Sequence, residues 1–149
     1  MKRSNTIAYW ATTGLTATAF AMGGLVDLAR GADVAAGMQH LGYPLYFASI
    51  LGVWKVLGAL AIVAPRLPRL KEWAYAGMFF DLTGAAVSHA SSGDPIAKIA
   101  TPLVILGLVA ASWALRPQSR KLIAAGESLP AGAATTGARS GQPVGASVA

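Results

Sequence analysis

The sequence predicts an all-α protein: a four-helix transmembrane bundle followed by a disordered C-terminal tail. Three observations predict it. Of 149 residues, 54% are hydrophobic and only 12% are charged, against ~25% charged in an ordinary soluble domain. Four apolar runs recur along the chain, each about as long as the ~20 residues a helix needs to cross ~30 Å of hydrocarbon. The basic residues gather on one side of the implied membrane.

The first run extends from about Ile7 to Val26, the second from Tyr46 to Ala64, the third from Glu72 to His89 and the fourth from Ala97 to Leu115. Backbone groups in lipid must pair within their own segment, so each run is expected to be helical. Pro65-Arg-Leu-Pro68 reads as a short basic turn. Asp94-Pro95 reads as an N-cap with proline at the first helical position of the fourth run. The loop from Leu28 to Pro44 is long enough for a brief helix on the membrane surface. Residues 1–116 thus form the membrane domain. Residues 117–149, rich in Gly, Ala, Ser, Pro and Thr without an apolar period, are expected to be disordered. No internal repeat is present.

Orientation follows from Lys and Arg. Lys2, Arg3, Arg66, Arg69, Lys71, Arg116, Arg120, Lys121 and Arg139 fall on one side, and only Arg30 and Lys98 on the other. The positive-inside rule places both termini in the cytoplasm. Trp10, Trp73 and Trp113 at the same ends fit an interfacial aromatic belt. The rival is a signal peptide: Lys2-Arg3, an apolar stretch and Ala19-Phe20-Ala21 would place cleavage near Met22. Thr12, Thr13, Thr16 and Thr18 dilute that stretch. A net charge of +6, arranged beside apolar runs, points to anionic lipid headgroups and not to nucleic acid. Without cysteine, disulfides, thiolate metal sites and thiol exchange by this chain are excluded. Neither HExxH nor GxSxG occurs, and no metal site or catalytic residue is assigned.

Lys55 and Asp81 lie mid-span, where a charge costs ~2.5–3.5 kcal/mol on insertion scales and normally finds a partner. In a hairpin centred near Pro68 they stand at equal depth. Each lies on a stripe of small residues, Ala48, Gly52 and Ala59 around Lys55, and Gly77, Gly84 and Ser88 around Asp81. Small residues let membrane helices approach closely. The pair is expected either to fix helix register or to take a proton-relay or ligand role, the latter with Lys55, Asp81 and His89 as the polar groups for a quinone head. His89, at the outer end of the third span, is a candidate contact for a quinone carbonyl. Haem ligation by His89 and His40 would need both rings inside a bundle, and His40 is outside one. Tyr46 and Trp54 are further ligand candidates, with belt and packing roles as their ordinary readings. Glu72 is expected to complement the dipole at the start of the third span.

Along Tyr43-Pro44-Leu-Tyr46, Ile50-Leu-Gly-Val-Trp54-Lys55, Leu57-Gly58, Pro65, Lys71-Glu-Trp-Ala-Tyr-Ala-Gly77, Gly84-Ala85, Ser88-His89 and Gly93-Asp94, the sequence resembles the DoxX-like family of small bacterial membrane proteins. The resemblance covers the middle third of the chain, and the outer helices by topology only. It implies a multi-pass four-helix bundle in the bacterial inner membrane and a role as accessory subunit of a quinone-linked redox system, with a quinone as the implied cofactor and another membrane or redox subunit as partner. It supplies no catalytic residues. The paired cysteines of vitamin K epoxide reductase-type bundles are absent, so that chemistry does not transfer. A small transporter or proton-conducting module, and a structural membrane partner without a ligand, are the other readings.

Overall fold

The computed structural model describes residues 3–117 and 120–121; most of the expected tail lies outside the described residues. Five helices and no strands occur among them: α1 (Arg3–Ala29), α2 (Ala32–His40), α3 (Leu45–Val63), α4 (Pro68–Ser91) and α5 (Ile96–Ala114). The long helices pack as a closed ring, α1 on α3, α3 on α4, α4 on α5 and α5 back on α1, while short α2 leans on α3. Both α3 and α5 are long and apolar enough to cross a membrane. Threonines in α1 and charges in α4 lower the apolarity of the other two long helices.

Helix boundaries follow local chemistry. Pro44 and Pro95 stand immediately before α3 and α5, where a missing N–H costs nothing. Pro68 begins α4, so that helix opens one turn before the apolar run does. Asp94 does not cap α5 as its sequence context suggests; no side-chain cap bond forms there, because its carboxylate is taken by two histidines and a lysine. α1 continues past Val26 to Ala29, which brings Asp27 into the helix. Arg30, with φ 51, then breaks the helix in the left-handed region.

Polar side chains share the interior with apolar ones, and many large apolar side chains face outward. Thr13, Thr16, Lys71, Ser112 and Arg116 are buried, while Leu15, Leu60, Phe80, Val87 and Val104 face outward. Phe20, Ile62, Tyr75, Met78, Leu82 and Val109 form the apolar core between the polar layers. Outward apolar faces on all four long helices suit a lipid solvent, which rewards burial of polar groups inside the protein. α1 and α3 cross backbone to backbone: a methyl group at Gly52 would lie 2.7 Å from the Gly24 carbonyl oxygen, and one at Gly24 would lie 2.8 Å from that of Gly52.

Candidate functional site

Just beyond the Gly24–Gly52 crossing, the next turn of each helix carries a charge. Asp27 Oδ2 of α1 accepts a hydrogen bond from Lys55 Nζ of α3 at 2.8 Å. Asp81 Oδ2 of α4 stands 3.9 Å from the same nitrogen, close enough for ion pairing and too far for a hydrogen bond. The three side chains are 15–23% exposed. Asp27 is the nearer partner, so Lys55 and Asp81 do not form the isolated two-residue pair that hairpin register suggests. Two carboxylates share one ammonium, and the ionised cluster carries a net charge of −1.

Lys55 and Asp81 open onto a groove of about 520 Å³ between α3 and α4. Its walls are otherwise apolar, with Phe20 from α1, Trp54 and Leu57 from α3, and Trp73 and Phe80 from α4. Gly58 and Gly77 keep the helices' facing surfaces low. The groove therefore suits an apolar body with a small polar head, the usual composition of a ligand pocket. Of the residues singled out from sequence, Lys55, Asp81 and Trp54 line it. His89 and Tyr46 do not; Tyr46 is 63% exposed at the start of α3.

His89 belongs to a second cluster, at the α2 end of the molecule. Its Nδ1–H donates to Asp94 Oδ2 at 2.8 Å, His40 Nε2–H donates to the same oxygen at 3.0 Å, and Lys98 Nζ donates to Oδ1 at 3.0 Å. Tyr43 and Ser88 hydroxyls meet at 2.8 Å beside it. The cluster ties α2, α4 and α5 together across their connecting turns. The His89 hydrogen bond foremost, then that from Lys98, holds the Asp94 carboxyl well below the usual carboxylate range, against a smaller opposing effect of burial and with a further contribution from His40. Its pKa is depressed on folding, so its contribution is complete above the ordinary carboxylate value of 3.8 and is lost as pH falls through the lowered folded value. In thermal unfolding, the gap between wild type and Asp94→Asn is expected to narrow as pH falls below 3.8. A gap that widens on acidification below pH 3.8 refutes the assignment.

The end where α1 begins and α5 finishes is tied by a third set of contacts. Lys71 Nζ donates to the Ala61 and Ile62 carbonyls, and Arg120 Nη1 to that of Val63. Two cations thus satisfy the last carbonyls of α3, where the helix dipole also favours positive charge. Glu72 accepts from Arg116 at 2.8 Å and from Trp113 Nε1 at 2.9 Å; it bridges α4 to α5 instead of serving only its own helix terminus. Ser112 shares hydrogen bonds with Thr13 and Tyr75, at 2.7 and 2.8 Å. Basic residues that read as loop charges are therefore partly structural.

Asp27, the residue of the groove cluster that sequence reasoning missed, lies one position beyond the end assigned to the first apolar run. A signal was present: Gly24 and Asp27 repeat on α1 the spacing of Gly52 and Lys55 on α3. No group of histidine and carboxylate side chains suited to holding a metal occurs among the described residues. A family model described as the DoxX-like family matches residues 11–112. No curated protein and no solved structure matches the chain.

Proposed function

Because the chain belongs to the DoxX-like family, we propose that it is an accessory subunit of a quinone-linked redox system, and that the groove between α3 and α4 seats the quinone head. The family and the two apolar helices make this a membrane protein. In the proposed arrangement α1, α3, α4 and α5 span the bacterial cytoplasmic membrane, with both termini inside and α2 on the outer face. Nine basic residues against two support that orientation. Alkaline phosphatase is expected to be active when fused after Gly93 and inactive when fused after Leu115; the opposite pattern overturns it.

The observation that carries the ligand reading is an apolar groove whose charged lining residues are Lys55 and Asp81. Lipid solubility suits the quinone to the apolar walls, and an oxygen of its head suits the Lys55 ammonium. His89 is engaged with Asp94 and is left out of this role. Gly77 provides the test. It lines the groove, and a Cβ there meets nothing within 4 Å. Gly77→Leu is expected to fill the groove, keep the fold and reduce co-purified quinone at least about tenfold, the effect of losing roughly 1.4 kcal/mol of binding. Quinone retained at wild-type levels by a folded Gly77→Leu protein, or never carried by wild type, overturns the reading.

A second reading draws on the sharing of one ammonium by two carboxylates from different helices. Such a cluster is suited to proton conduction. Proton flux into proteoliposomes that disappears in Asp81→Asn favours it over quinone binding.

A further inference from the structure

The 3.9 Å between Lys55 Nζ and Asp81 Oδ2 is informative because Lys55 already donates to Asp27 at 2.8 Å. An ammonium has three N–H donors, and one hydrogen bond to Asp27 leaves donors for the groove. Asp81 makes no side-chain hydrogen bond to a described residue, and an ionised carboxylate offers acceptors only. The groove therefore presents one donor and one acceptor side by side. A single oxygen at ~2.8 Å from each fits across that separation with an angle near a right angle at the oxygen. A hydroxyl oxygen satisfies both neighbours, accepting from Lys55 and donating to Asp81. A carbonyl oxygen satisfies Lys55 alone and sets its lone pairs against the carboxylate. An anionic head meets a cluster whose net charge is already negative.

We infer that the Lys55–Asp81 face of the groove is a hydroxyl-selective head site, one that binds the reduced, phenolic form of a quinone-type ligand in preference to the oxidised, carbonyl form. The inference rests on the groove reading above and specifies which form of the ligand the groove holds. Asp27 is a positioning residue. By taking the close ion pair with Lys55, it keeps the ammonium from closing directly onto Asp81 and leaves the carboxylate available to accept.

The test is equilibrium partition of decylubiquinol and decylubiquinone into nanodiscs holding the full chain, against empty nanodiscs, with anaerobic handling and quantification of both forms. Wild type is expected to bind the quinol about tenfold or more tighter, the effect of one charge-assisted hydrogen bond that the quinone lacks. In Asp81→Asn the preference is expected to fall to about threefold or less, since the amide can donate as well as accept. In Asp27→Asn, Lys55 is expected to move onto Asp81, weakening the quinol more than the quinone. The wild-type ratio decides by itself, so a variant that fails to fold does not remove the test. Equal binding of both forms, or tighter binding of the quinone, overturns the inference while leaving the groove as a quinone seat. Binding of neither form overturns both.

Discussion

Lys55→Met is expected to destabilise the protein by about 3 kcal/mol, near the lower end of what breaking a buried pair costs, because it leaves two carboxylates without their cation. The lower end applies because the cluster is 15–23% exposed and a stranded carboxylate can take up a proton. The double variants carry the sharper result. If Asp81 were the principal partner, Lys55→Met with Asp81→Leu would restore most of the loss, since well-packed apolar groups can replace a buried ion pair. The 2.8 Å bond to Asp27 and the 3.9 Å separation from Asp81 give a different order. Lys55→Met with Asp27→Leu is expected to recover more than Lys55→Met with Asp81→Leu, and the triple variant to recover most. Unfolding of the purified protein in mild detergent, followed by circular dichroism, gives the ranking. Equal recovery in the two doubles would remove Asp27 from its position as the main partner.

The second large effect belongs to the α1–α3 crossing. Gly→Ala in a helix ordinarily gains up to ~1 kcal/mol through propensity. At Gly52 the added methyl group would lie 2.7 Å from the Gly24 carbonyl oxygen and 2.8 Å from the Leu28 side chain. The nearest obstacle is backbone, which cannot rotate away, so the overpacking cost of ~1–3 kcal/mol is expected at its upper end and outweighs the propensity gain. Gly52→Ala is therefore expected to lower stability by about 2 kcal/mol, and Gly52→Leu to prevent α1 from docking. Gly14→Ala is the control: nothing lies within 4 Å of its Cβ, and it is expected to be neutral or slightly stabilising. A crossing that tolerates Gly52→Leu would show that the helices need not approach so closely. The same crossing sets the distance between Asp27 and Lys55, and α1 supplies Phe20 to the groove, so its loss is also expected to reduce quinone retention.

Much of this was legible in one dimension because the cause is local. A long apolar run in lipid has no alternative to a helix, so α3 and α5 stand close to their expected positions. Proline marks where α3, α4 and α5 begin for the same local reason. The mid-span charges at Lys55 and Asp81 attract notice wherever they occur, since hydrocarbon penalises them. The small residues around them indicate which faces approach other helices. Membership of the DoxX-like family was also readable, from motifs in the middle of the chain.

Partner choice was not readable in the same way. Asp27 follows directly on the end of the first apolar run. It becomes the nearest counter-ion of Lys55 only because α1 continues to Ala29 and crosses α3 at the glycines. Glu72 and Asp94 looked like helix-terminal residues. Each instead joins separate helices, Glu72 through Arg116 and Trp113, Asp94 through His40, His89 and Lys98. His89 and Lys55 were candidates for one ligand, yet they occupy different clusters. The sequence by itself determined the all-α class, the two most apolar helices, the family and the two mid-span charges, because composition and the 1.5 Å rise of a helix act along the chain. Only the tertiary structure decided which carboxylate Lys55 holds and which charges face the groove. Those outcomes depend on helix crossing and rotation, where a shift of a few ångströms exchanges one ion pair for another.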